Sequence, residues 1–205
     1  MGWVAFKSKM FELGCFNIHQ VYAFWPGFDR NNFVRWNRKG YLVRLRQGVY
    51  AFPEYKRKPG MAEYFAGRIY NPSYISLHSA LAFYGLIPES VVQITSVTSL
   101  KTAAFRNDFG EYSYKSVRPD LMFGYVAHPI GDGRVTAYAS REKALLDLLY
   151  LYPFYNNDRE IAELRLDADV LRKELNRVQW ESAAERFHSK ALERRMRLLS
   201  KVYGL

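Results

Sequence analysis

A single cysteine, Cys15, stands in a chain of 205 residues, so no internal disulfide can form, and it is read as a small buried hydrophobe. Histidine is scarce too: His19, His78, His128 and His188 are scattered without the paired spacing of metal ligands, so no zinc or other metal is expected. No run approaches the roughly 18 uninterrupted apolar residues of a membrane span. The first residues show no apolar secretory core ahead of a small-residue cleavage site, so the expected location is the cytoplasm, with no membrane partner. A Gly-x-Ser-x-Gly elbow is missing, and Gly131-x-Gly133 lacks the rest of a phosphate-binding loop. No internal repeat or low-complexity tract is visible, and no cofactor is implied.

The most informative scarcity is of acid, and it is local. Residues 1–58 hold 11 Lys/Arg against 3 Asp/Glu, residues 59–157 hold 8 against 8, and the last 48 residues hold 11 against 9. The net charge of +10 therefore comes mostly from the first quarter, the part suited to a polyanion. The nearly balanced tail has the composition of salt-bridged helices, which leaves an exposed face or a protein interface open. With 49% apolar and 17% aromatic residues the chain has ample material for a core, and its length suits a small domain followed by a larger one.

In that first quarter, Trp3, Phe6, Met10 and Leu13 recur at helical spacing before Gly14, which predicts a short helix. Asn17 with Gln20 forms a capping-box pattern ahead of Ile18, Val21 and Phe24, and Pro26-Gly27 closes a second helix. Asp29 as N-cap and Gly40 as the residue after the end bracket a third helix over Arg30–Lys39. On it Phe33, Val34 and Trp36 are assigned to a core-facing arc, and Asn31, Asn32, Arg35, Arg38 and Lys39 to the opposite one. From Tyr41 the period becomes two: Tyr41, Val43 and Leu45 alternate with Arg44 and Arg46, and Gln47-Gly48 turns into Val49–Phe52. Three short helices and a hairpin give the order of a winged helix-turn-helix.

Residues 54–60, charged and ending in Pro59-Gly60, read as a linker. Beyond it helices are expected over Met61–Tyr70 and Ser76–Tyr84, and strands over Val91–Val97, Tyr112–Val117, Phe123–His128 and Val135–Tyr138. A helix after Ser140 should bury Ala144, Leu145, Leu148 and Leu149, with Arg141, Glu142 and Lys143 as surface ion pairs at its start. Three charged amphipathic helices follow, at about 168–176, 178–187 and 189–202. The expected fold is thus α+β: a winged helix-turn-helix over residues 1–55, then a larger mixed α+β domain over 61–205 with a helical C-terminal tail.

PSYISLHSALAFYGLIPESVVQITSVTSLKT (72–102), FGEYSYKSVRPDLMFGY (109–125) and ASREKALLDLLYL (139–151) together resemble the AbiEi family. These are the antitoxin and transcriptional-regulator components of AbiE-type, type IV toxin–antitoxin operons. KGYLVRLRQGVYAF (39–52) is similar to the wing of that family's N-terminal domain, and the likeness covers about residues 15–155. It implies a first domain that represses the operon by binding operator DNA. A second domain would help to neutralise, directly or indirectly, a nucleotidyltransferase-like toxin encoded alongside.

A run of cations is most often a solvated helix face, but the acids that accompany such a face are missing: after Asp29 the next is Glu54. Asn31, Asn32 and Arg35 are the side chains able to bond base edges, and Arg30 opens the same helix. Arg38, Lys39, Arg44 and Arg46 suit phosphates. Trp36, Tyr41, Tyr50 and Phe52 read as core rather than as stacking platforms for unpaired bases. The expectation is a non-enzymatic repressor and antitoxin on double-stranded operator DNA with repeated half-sites. Two alternatives remain. One is a metal-dependent nuclease built on Asp108, Glu111, Lys115 and Asp120, although no acid is followed two residues later by a strand lysine beyond Asp120. The other is a protein-interaction module that does not bind DNA.

Overall fold

The computed structural model describes residues 2–88 and 91–205, and their architecture is α+β. Helix α1 (Trp3–Met10) buries Phe6 and Met10, and a 3-10 turn over Phe11–Leu13 leads to Gly14. Gly14 has φ +74°, and a Cβ there would lie 2.9 Å from Arg134 Nε and 3.1 Å from the Tyr64 ring, so both backbone and space require glycine. Strand β1 (Cys15–Asn17) follows, then α2 (Ile18–Phe24), opened by the Asn17–Gln20 capping box in both directions. Burial pushes the Cys15 thiol up to about 11, as suits a packing residue rather than a nucleophile.

Helix α3 (Asn31–Arg38) starts from Asp29, whose Oδ1 accepts the Asn31 N–H at 2.9 Å. It ends where Gly40, at φ +71°, lets the Gly40 and Tyr41 amides bond back to Asn37 and Trp36. β2 (Val43–Arg46) and β3 (Val49–Ala51) form the expected hairpin around Gln47-Gly48. β1 pairs with the free side of β3, Cys15 opposite Ala51 and Asn17 opposite Val49, so the sheet runs β1-β3-β2. Three residues are too few for an alternation to be read, which is why β1 escaped the sequence.

The segment read as a linker is a packed turn. Residues Pro53–Arg57 wind as a 3-10 helix, and buried Tyr55 stacks on Phe11 at 4.9 Å and donates its hydroxyl to the Phe11 carbonyl. Lys56 pairs with Asp108 at 2.8 Å and Lys58 with Asp132 at 2.5 Å, so the basic residues here clamp the segment to later parts of the chain. One apolar core runs unbroken from Phe6 to Tyr203.

After α4 (Met61–Ile69) come β4 (Ser73–Ile75), α5 (Leu77–Phe83), β5 (Gln93–Thr98), β6 (Ala103–Asn107), β7 (Gly110–Ser116), β8 (Tyr125–Gly131) and β9 (Arg134–Ala139). They make a mixed six-stranded sheet in the order β6-β7-β5-β4-β9-β8, with β4/β9 and β5/β7 parallel and the other neighbours antiparallel. Helix α6 (Arg141–Leu151) is buried from Glu142 to Leu149. Helices α7 (Asp158–Ala162), α8 (Ala168–Glu174), α9 (Arg177–Glu185) and α10 (Lys190–Tyr203) complete the chain. The short elements β4, β6 and α7 were not anticipated; the longer ones stand within a few residues of where periodicity put them.

The opening of α6 differs from expectation. Lys143 and Asp147, 1% and 0% exposed, form a buried pair one helical turn apart. Lys143 Nζ also donates to Tyr74 Oη at 2.8 Å and lies 4.9 Å from the Phe123 ring, while Asp147 Oδ2 accepts from Tyr74 at 3.0 Å and Ser76 at 2.8 Å. Burial raises the Asp147 pKa and lowers that of Lys143, and each charge with its hydrogen bonds opposes the other's shift. Glu142 is buried as well, its Oε1 accepting the Asn176 amide at 3.0 Å. The sequence could not reveal this because a Lys–Asp pair at i,i+4 reads the same on a surface as under α9. Lys143→Met alone should strand the Asp147 carboxylate and remove about 3–5 kcal/mol of stability in urea unfolding. Adding Asp147→Leu should restore more than half of that loss; equal losses in the single and double variants would contradict a coupled pair.

Candidate nucleic-acid interface

The roll of α3 about its axis is set by Phe33 and Trp36. Phe33 stacks on Tyr50 at 4.5 Å with rings 5° from parallel, and Trp36 meets Phe6 at 4.6 Å and Trp3 at 4.9 Å. With those two rings buried, Asn31, Val34, Arg35 and Arg38 share the opposite stripe at i, i+3, i+4 and i+7, and all four are exposed. Arg30 and Lys39 extend the stripe at its ends, Asn32 flanks it half-buried, and Arg44 stands exposed on β2.

Within the stripe Arg35 is braced. Its Nη2 donates to Asn32 Oδ1 at 2.6 Å and to Asp29 Oδ2 at 3.2 Å, while the side chain stays 62% exposed. Such bonds limit the rotamers that a flexible guanidinium would otherwise lose on meeting a partner. Arg30, Arg38, Lys39 and Arg44 have no ion-pair partner among the described residues, although Lys39 Nζ lies 6.0 Å from the Tyr41 ring. Arg35, Arg38 and Lys39 also sit where the C-terminal half of a helix favours cations.

Three expected placements, those of Arg46, Val34 and Tyr41, are overturned. Arg46 does not join the exposed cations: Nη1 donates to the Ile69 carbonyl at 2.9 Å, and the guanidinium lies 5.0 Å from Tyr70 and 4.8 Å from Phe105. A register shift between Arg44 and Arg46 separates their environments, and the last carbonyls of α4 are acceptors without helical partners. Val34 is not core: it is 50% exposed. At about 100° per residue it stands roughly 100° from Phe33 and 160° from Trp36, outside the arc assigned to it. Trp36 and Phe52 are buried as read, Tyr50 is half-buried, and Tyr41 is 43% exposed against Trp3 at 5.0 Å.

The acids considered for metal chemistry are not brought together. Asp108 pairs with Lys56, Glu111 with Arg106 at 3.4 Å and Asp120 with Arg118 at 3.2 Å, while Lys115 points to the Tyr152 ring at 5.5 Å. Among the described residues no group of three His, Cys, Asp or Glu side chains is placed to hold a metal ion, and no helix is long and apolar enough to cross a membrane. No protein-family model matches the chain, and no curated protein matches it significantly.

The two hairpin arginines should separate in a stability measurement. Arg46→Ala removes a charge-assisted bond and two ring contacts, a loss of about 1.5–3 kcal/mol in denaturant unfolding. Arg44→Ala, on an exposed position, should stay within about 0.5 kcal/mol of the parent. Equal costs for the two would contradict the inward engagement of Arg46.

Proposed function

We propose that the chain is a transcriptional repressor that binds duplex operator DNA, and that it is the antitoxin of a type IV toxin–antitoxin operon. The observation that carries the DNA reading is the outward stripe of α3: cations and amides with no acid beyond Asp29, beside an exposed Arg44 on the hairpin. The order α1-β1-α2-α3-β2-β3, with the three strands arranged β1-β3-β2, supports a winged helix-turn-helix, and β1 adds a feature of that motif that the sequence had not suggested.

In this reading α3 enters the major groove, where Asn31 and the braced Arg35 meet base edges. Arg30, Arg38 and Lys39 neutralise phosphates along the groove, and Arg44 holds the neighbouring backbone. Each such contact contributes close to one unit to the slope of log affinity against log salt. Arg46 is left out of the binding set. A single module of this size touches few base pairs, so repeated half-sites are expected in the operator. Occupancy would block transcription of the operon.

The antitoxin half rests on the resemblance of residues 72–151 to AbiEi proteins, and the partner would be a nucleotidyltransferase-like toxin, opposed directly or indirectly. No observation favours the nuclease reading, since its acids are engaged in separate ion pairs.

Duplex DNA from upstream of the chain's own gene should be retarded at low salt, and Arg35→Ala with Arg38→Ala should weaken binding by roughly 2–4 kcal/mol and flatten the salt dependence. Unchanged affinity in that double variant would favour the protein-interaction reading. For the antitoxin half, co-expression should relieve the growth arrest caused by a nucleotidyltransferase-like toxin from the adjacent gene. Persistent arrest would remove the antitoxin assignment and leave the repressor.

A further inference from the structure

Among the eight residues of α3, Val34 is the only apolar one on the outward stripe. Half of its side chain is left in solvent, and a β-branched residue on a helix surface is a slightly poorer helix former than alanine. Its neighbours are informative: Asn31 stands three positions before it, Arg35 beside it and Arg38 four positions after, all exposed. A surface that meets base edges through amide and guanidinium groups has one apolar base substituent to meet in the major groove, the C5-methyl of thymine.

We infer that Val34 is a specificity-determining residue that packs on a thymine methyl, so that the half-site carries a thymine next to the bases bonded by Asn31 and Arg35. The inference rests on the DNA-binding reading above and adds to it a stated base. A valine branch reaches less far than arginine, so its contact requires α3 to lie deep in the groove, a geometry that phosphate binding alone would not demand. The bracing of Arg35 by Asp29 and Asn32 keeps that long side chain from folding over Val34.

The test uses the full chain and duplexes enriched by it from a random pool. Each thymine of the enriched duplex is replaced in turn by uracil, which removes one methyl group and leaves every hydrogen-bonding edge in place. For the parent protein, uracil at one or two positions should weaken binding about fourfold, the ratio that corresponds to burying one methyl group. The Val34→Ala variant, which keeps the helix, should bind thymine and uracil duplexes alike at those positions and should match the parent's affinity for the uracil duplex. A parent protein indifferent to uracil at every position would overturn the inference while leaving the DNA reading intact, as would a Val34→Ala variant that loses fourfold like the parent. Failure to enrich or retain any duplex would overturn the DNA reading itself, and this inference with it.

Discussion

The exposed chemistry of the first quarter depends on one constraint, the burial of Phe33 and Trp36 in the aromatic cluster around Phe6. A helix of eight residues is too short to be stable alone, so α3 exists because those two rings are held. Fully burying a side chain of this kind stabilises by roughly 1.5–3 kcal/mol, and the edge and offset ring contacts add to that. A helix has one rotational degree of freedom about its axis, and two rings on one side remove it. Everything on the other side, Asn31, Val34, Arg35 and Arg38, is then presented outward without further instruction.

The same first quarter contains more cations than its outer face uses, and the structure sorts them by their partners. Lys7 pairs with Glu54, Lys56 with Asp108 and Lys58 with Asp132, and Arg46 caps the end of α4. Arg134 reaches back from β9 to the Glu12 carbonyl at 2.7 Å and lies over Tyr55 and Tyr64. These contacts, with the continuous apolar core, pack the three-stranded sheet against α4 and the larger sheet. Of the first quarter's other cations, Lys9 lies over the Phe24 ring and Arg57 stands exposed on the turn after β3, while Arg30, Arg38, Lys39 and Arg44 gather on and beside α3 and on β2. Had Arg46 been free and the turn after β3 mobile, the same charge would be smeared over a flexible surface and would favour no particular register on a partner.

Much of this was legible in the residues, and the gaps have physical reasons. Asn17 with Gln20, Asp29, Gly40 and Gln47-Gly48 specify their caps and turns by local hydrogen bonding, so the first three helices and the hairpin could be placed from sequence. β1, β4 and β6 could not: they run three, three and five residues and are strands because other segments pair with them, β3 with β1, β5 and β9 with β4, and β7 with β6. The inward turn of Arg46 depends on a bulge and on a carbonyl 23 residues away, and the burial of Lys143 with Asp147 depends on Tyr74, Ser76 and the ring of Phe123. Pattern reading sees charge and spacing but not what lies opposite. Val34 was misplaced for a simpler reason, an arc drawn too wide around Phe33.

The most direct measurement of the proposed groove contact is interference by methylation of guanine N7, an atom that faces the major groove and accepts from arginine. Randomly methylated duplexes would be divided into bound and free by the full chain and read base by base. Depletion of a few clustered N7-methylguanines from the bound fraction is the result expected if α3 reads the groove. Uniform retention at every guanine, or interference confined to minor-groove adenine N3, would contradict it.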